Sequence, residues 1–108
     1  MTMTDPSFAF LQDWFAQHCD GDWEHDLGVS IATLDNPGWL LRVRIEDTEL
    51  EGIEAPWTSS EESEHEWLTW RSTGLAFEAY GGSRDLLRLV AAFQAFATQH
   101  GQAVDEGG

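Results

Sequence analysis

The chain has no lysine at all and only one cysteine, Cys19, among its 108 residues. A single cysteine excludes an internal disulfide, and a reducing cytoplasm is the simplest expected home. No apolar run approaches the ~18–20 residues that cross a bilayer. The opening Met1-Thr2-Met3-Thr4-Asp5-Pro6 has no basic stretch followed by an apolar core, so no secretory signal is expected. Positive charge is scarce too: five Arg stand against 20 Asp and Glu, for a formal net charge of -15 and a pI near 4.2. No Arg precedes Arg42, and the stretch Glu46 to Glu66 carries nine acids with no Arg. A field of this sign repels phosphate backbones and anionic headgroups, so neither nucleic acid nor a membrane is an expected partner. It attracts basic proteins and speeds their encounter. The plainer reading of the same charge is a surface that keeps the protein soluble in a salty cytoplasm.

Apolar and aromatic side chains are plentiful. Hydrophobic residues make up 42% and aromatics 12%, with six Trp and six Phe, enough for one compact core. Length fits one domain, expected over 1–100, with 101–108 a loose tail that offers nothing to pack. Asp5-Pro6 reads as an N-cap and first-turn proline, and Phe8, Leu11, Trp14 (or Phe15) and His18 recur at helical spacing, predicting a helix over roughly 6–18 with Gly21 as a left-handed exit. Residues Leu27 to Leu34 and Trp39 to Glu46 alternate at strand period around the turn Asp35-Asn36-Pro37-Gly38, predicting an antiparallel hairpin with Arg42 and Arg44 on its polar face. Residues 54–66 read as an acidic, mobile loop. Strands are expected over 66–72 and 75–80, the latter with Leu75, Phe77 and Ala79 on one face and Gly81-Gly82 at its end. Ser83 reads as the N-cap of a last helix whose stripe is Leu86, Leu89, Val90, Phe93 and Ala97. The expected fold is therefore α+β, a two-layer sandwich with a four-stranded antiparallel sheet and N- and C-terminal helices, in the order α-β-β-β-β-α.

The densest polar cluster is His18-Cys19-Asp20-Gly21-Asp22-Trp23-Glu24-His25-Asp26. Its residue types suit a metal, but no Cys-x-x-Cys, no helical His pair and no calcium-loop pattern is present, so neither metal nor cofactor is expected. Cys19 is a poor nucleophile candidate, because Asp20, Asp22, Glu24 and Asp26 disfavour a thiolate. A glycosidase-like carboxylate pair is uninformative where carboxylates abound. Gly81-Gly82-Ser83 lacks the Lys of a phosphate-binding loop. Trp23 reads as an anchor that pins this connection to the core, yet like charges repel, and four acids in seven positions suggest a surface that receives cations. Trp14, Trp39, Trp67, Trp70 and Phe93 fall on inward faces. Trp57, inside the acidic segment, reads equally as local packing or as an exposed interface anchor.

Three stretches, Leu11-Gln12-Asp13-Trp14-Phe15 through Cys19-Asp20-Gly21-Asp22-Trp23-Glu24-His25, then Leu34-Asp35-Asn36-Pro37-Gly38-Trp39, then Asp47-Thr48-Glu49-Leu50, together resemble the Immunity protein 53 family of bacterial polymorphic toxin systems. The likeness runs from about Phe10 to Leu50 and continues weakly into the strand before Gly81-Gly82 and the final helix. The stretch Glu54 to His65 departs from it, with more acids and Ser. The resemblance implies a cytoplasmic antidote that binds a cognate toxin with a basic surface and blocks it without chemistry, as a monomer or weak dimer. Where such a toxin is a nuclease, an acidic protein can occupy its cleft by mimicking phosphate charge. The expected contact residues are Asp20, Asp22, Glu24, His25, Asp35 and Asn36, with Trp57 and Glu61 as outer candidates. The alternatives are a small metal-dependent enzyme or ligand binder using His18, Cys19 and His25, and an acidic housekeeping protein with no specific partner.

Overall fold

A computed structural model describes residues 5–101. The first helix, α1 (Pro6–His18), starts where the Asp5 carboxylate accepts the backbone N–H groups of Ser7 at 2.7 Å and Phe8 at 3.4 Å. Two of the four donors that a helix N-terminus leaves unpaired are thereby satisfied. The chain leaves α1 through an extended Cys19. Gly21 does adopt a left-handed φ of +100°, but in the link to a short helix, α2 (Trp23–Asp26), that the spacing does not announce. Strands β1 (Val29–Leu34) and β2 (Gly38–Arg44) form the expected hairpin, in register from Val29 opposite Val43 to Leu34 opposite Gly38.

The sheet has five strands, not four. The additional strand, β3 (Glu54–Glu61), lies within the segment expected to be a mobile loop and pairs antiparallel with β4 (Trp67–Thr73). Its sequence hides it for a physical reason. As an edge strand it buries almost nothing, so it needs no apolar alternation, and Pro56 is tolerated there beside a register shift between Ala55 and Thr58. Strand β5 (Ala76–Gly82) completes an all-antiparallel sheet of order β1-β2-β5-β4-β3. Leu75 precedes β5 and is exposed, so only Phe77 and Ala79 of the expected trio face inward.

The last helix, α3 (Leu86–Gly101), buries Leu89, Val90, Phe93 and Ala97 as the stripe predicts, and Phe96 with them. It begins after Asp85 and not at Ser83. The Asp85 carboxylate binds the sheet, accepting from Trp67 N at 3.1 Å and Gly82 N at 3.2 Å. The expected tail lies outside the described residues except for Gly101, which closes α3. Both long helices cover one sheet face. There Phe93 meets Phe77 at 5.3 Å, Trp14 at 5.1 Å and Phe10 at 6.1 Å, while Trp70 stacks on Phe77 at 5.4 Å. Trp14 and Phe93 are fully in the core, and Trp39 and Trp70 are half-buried at its margin. Trp67, expected to face inward, is half-buried on the opposite sheet face, because strand alternation puts it on the same side as Arg71 and not with Trp70.

β5 runs through Gly81-Gly82 instead of ending before them. The backbone carbonyl of His65 and the Asp85 carboxylate occupy the space a Gly82 side chain would need, the carboxylate only 2.8 Å from where a Cβ would stand. Gly82→Ala is expected to cost about 2 kcal/mol of folding stability by overpacking. Urea denaturation checks this, and an unchanged midpoint would show that the β4 entry and Asp85 give way freely.

Candidate functional site

Alternating strand directions sort the connections into two ends. One end holds the α1–α2 link, the β2–β3 connection and the β4–β5 turn. The other holds the β1–β2 turn, the β3–β4 turn and the entry to α3.

At the first end the cluster after α1 folds on itself. Asp20 Oδ1 accepts from Asp22 N and Trp23 N, both at 2.9 Å, and so caps α2 from a distance. These bonds, from Trp23 first and Asp22 second, hold the Asp20 carboxyl below its ordinary pKa. The Glu24 carboxylate reaches back to accept from Asp20 N and Gly21 N, both at 2.8 Å. The crowding of acids thus has a local cause: two of them satisfy backbone donors of their own loop. Asp22, His25 and Asp26 remain exposed.

Trp23 is buried as expected, and its indole N–H donates to the Glu46 carbonyl at 3.0 Å. This sets Ile45–Ile53 beside the cluster. Glu49 accepts from Trp14 Nε1 at 3.0 Å and pairs with His18 Nε2 at 2.8 Å. Partial burial pushes the Glu49 carboxyl up, but its own backbone N–H, His18 and Trp14 outweigh this and hold it below its ordinary value. Acids far apart in sequence, Asp20 to Asp26 and Glu46 to Glu51, therefore share one end of the molecule. The second group is missed by sequence reasoning, although the Asp47-Thr48-Glu49-Leu50 motif carried the signal.

The remaining expected residues lie elsewhere. Asp35 and Asn36 sit at the opposite end of β1, whose six residues separate them from the first cluster by roughly 17–20 Å. Asn36 and Pro37 line a cleft of about 340 Å³ with Glu64, His65, Trp67 and Ser83. Glu61 ends β3 at that same end. Trp57 is 49% exposed and lies on the sheet face that no described helix covers. The eight residues therefore fall into three places.

That open face carries a network the sequence did not reveal. Glu78, only 8% exposed, accepts from Arg42 Nε at 3.1 Å and from Arg71 Nε at 3.0 Å on its two oxygens. The Arg71 guanidinium lies 4.7 Å from the Trp57 ring, and Trp57 meets Tyr80 at 5.9 Å. The polar face of the β1–β2 hairpin hinted at Arg42, but its partners needed β5 beside β2, which sequence order conceals.

His18, Cys19 and His25 do not converge. The His18 ring is held between the Trp14 carbonyl at 2.7 Å and Glu49. Cys19 Sγ donates to the Phe15 carbonyl at 3.2 Å, and local desolvation, with Glu24 and Asp20 nearby, raises its thiol pKa. Among the described residues no three His, Cys, Asp or Glu side chains are grouped to hold a metal ion. No described helix is long and apolar enough to cross a membrane.

The fold defines a class: a small α+β protein with a five-stranded antiparallel sheet and a long helix at either end of the chain order. The chain matches the family model Immunity protein 53 over residues 8–98, across all five strands and most of both long helices, and it belongs to that family. No curated protein and no solved structure matches it.

Because the folded state depresses the Glu49 pKa, its contribution to stability is full above the ordinary value of 4.5 and is lost as pH falls through the folded value. Glu49→Gln is expected to flatten the fall in melting temperature below about pH 4.5. Thermal melts across the acid range test this; an unchanged acid limb would assign it to other carboxylates.

Proposed function

We propose that the chain is the antidote of a bacterial toxin–immunity pair, binding its cognate toxin one-to-one in the cytoplasm and blocking it without chemistry of its own. Membership of the Immunity protein 53 family over residues 8–98 carries this reading. The surplus of negative charge supports a toxin with a basic surface, such as a nuclease cleft. Acids from two segments, gathered at one end, make a field that steers such a surface inward.

Within that end, Asp22, His25 and Asp26 are the groups free to meet a partner, because Asp20 and Glu24 are engaged with their own backbone. Asp35, Asn36 and Glu61 form a second rim at the far end, and Trp57 offers an aromatic anchor on the open face.

The double substitution Asp22→Lys with Asp26→Lys leaves the loop-closing bonds of Asp20 and Glu24 in place. It is expected to slow association with the toxin about tenfold at low salt, with the difference shrinking as salt rises. Surface-immobilised binding kinetics, paired with a co-expression protection assay, provide the measurement. Association at the unsubstituted rate would remove this end from the interface, and failure of the unsubstituted chain to bind or protect would remove the function.

A further inference from the structure

The two edges of the sheet are built differently. β3 carries Glu54, Pro56 and Glu61 and a register shift, which are the devices that keep an edge strand from pairing with another chain. β1, Val29-Ser30-Ile31-Ala32-Thr33-Leu34, has no charge, no proline and no irregularity, and positions 29, 31 and 33 are all β-branched. Among the described residues it pairs only with β2, and its middle four residues are exposed, Ile31 at 43%.

The register fixes which backbone groups are free. Arg44 N donates to Gly28 O at 3.0 Å, so Gly28 and Arg44 form a hydrogen-bonded pair. Antiparallel pairs alternate, so Ser30, Ala32 and Leu34 bond β2, while Val29, Ile31 and Thr33 turn their N–H and C=O groups away from it. The side chains of Val29 and Ile31 lie on the helix-covered face, where they and Phe8, Leu11 and Phe15 of α1 line an apolar groove of about 340 Å³ along the strand. A strand laid against β1 would find open hydrogen-bonding positions and, at every second residue, an apolar slot.

Charge selects the occupant. Exposed Asp26 stands just before β1 and exposed Asp35 just after it. A second copy pairing antiparallel would set the Asp35 end of each chain against the Asp26 end of the other, with net charge -15 on both. A segment of a cationic protein with Lys or Arg at its ends would instead meet an acid at each end.

We infer that the free edge of β1 takes an extended segment of the toxin by strand addition, apolar at alternate positions and basic at its two ends. This rests on the toxin reading above and names where and how the partner is held. The test is amide hydrogen exchange on the full chain, alone and mixed with the product of the neighbouring gene in a non-toxic form. The amides of Val29, Ile31 and Thr33 are expected to slow about tenfold or more on binding. Thr33→Pro removes one outward N–H without touching the β1–β2 ladder, and is expected to raise Kd about tenfold, mainly through faster dissociation. Thr33→Val keeps that N–H and should bind as the unsubstituted chain does. A complex that forms with unchanged exchange at these three amides overturns the inference and leaves the toxin reading standing. So does a Thr33→Pro variant that binds like Thr33→Val. Protection of the same amides in a dimer of the chain alone assigns the edge to a second copy and overturns it as well. Absence of any complex overturns both readings.

Discussion

The Trp14 indole is the contact on which the arrangement of the molecule rests. It is 4% exposed, meets Phe93 of α3 and Trp23 of α2 edge-on at 5.1 and 5.7 Å, and donates its N–H to Glu49. One side chain thus ties α1 to the core, fixes the short helix after it and draws in the β2–β3 connection. Removing a buried Trp typically costs about 3–5 kcal/mol, a large share of a small domain's stability. Here it would also release the constraint that brings two acidic segments together. The repulsion among those acids is borne because each segment is fastened to the core by an indole, Trp14 through Glu49 and Trp23 through the Glu46 carbonyl.

A second constraint follows from placing both long helices on one face of the sheet. The opposite face has to manage its own polar groups, and it does so with three of the chain's five arginines. Glu78 is nearly buried, and a lone carboxylate there would be costly; the guanidiniums of Arg42 and Arg71 offset its desolvation, and Arg44 pairs with Glu46 nearby. Arg88, a fourth, pairs with Asp85 and Glu62 at the far end. With so many cations committed to the sheet and its margin, little positive charge remains to neutralise the acids at the first end.

The elements that bury a periodic apolar face were legible in the sequence. α1, β2 and the stripe of α3 emerge from spacing because core burial imposes it, while β1, exposed at its middle four positions, emerges from its uncharged β-branched run and the turn that joins it to β2. β3 did not, because an edge strand that buries almost nothing leaves no periodic mark, and its Pro and acids mimic a loop. Ser83 was misread because Asp85, two residues on, stands directly before the helix while its carboxylate serves the sheet. Among the candidate contact residues, chemistry was easier to recognise than occupation. Asp20 and Glu24 look like free acids in one dimension, and only the folded loop reveals them as acceptors for backbone N–H groups. The Arg42–Glu78–Arg71 network was invisible because β2 and β5 are neighbours in space with two strands between them in sequence.

Charge and adhesion need not reside in the same place. Exposed acids act over roughly a Debye length, about 8–10 Å at ordinary salt, so they govern how often a cationic partner arrives and little about how long it stays. Residence depends on desolvated contacts and on backbone hydrogen bonds that water cannot easily replace. In this fold the two kinds of surface are separate but adjacent: the acidic end stands at the start of β1, and β1 itself is the uncharged, unguarded edge bordered by apolar side chains. An unguarded edge is an aggregation hazard, and β3 demonstrates that this chain carries the means to guard one. The different treatment of the two edges within one sheet is therefore better explained by use than by neglect. A partner steered to the acidic end would arrive beside a strand whose outward hydrogen-bonding groups are, among the described residues, unpaired and unguarded.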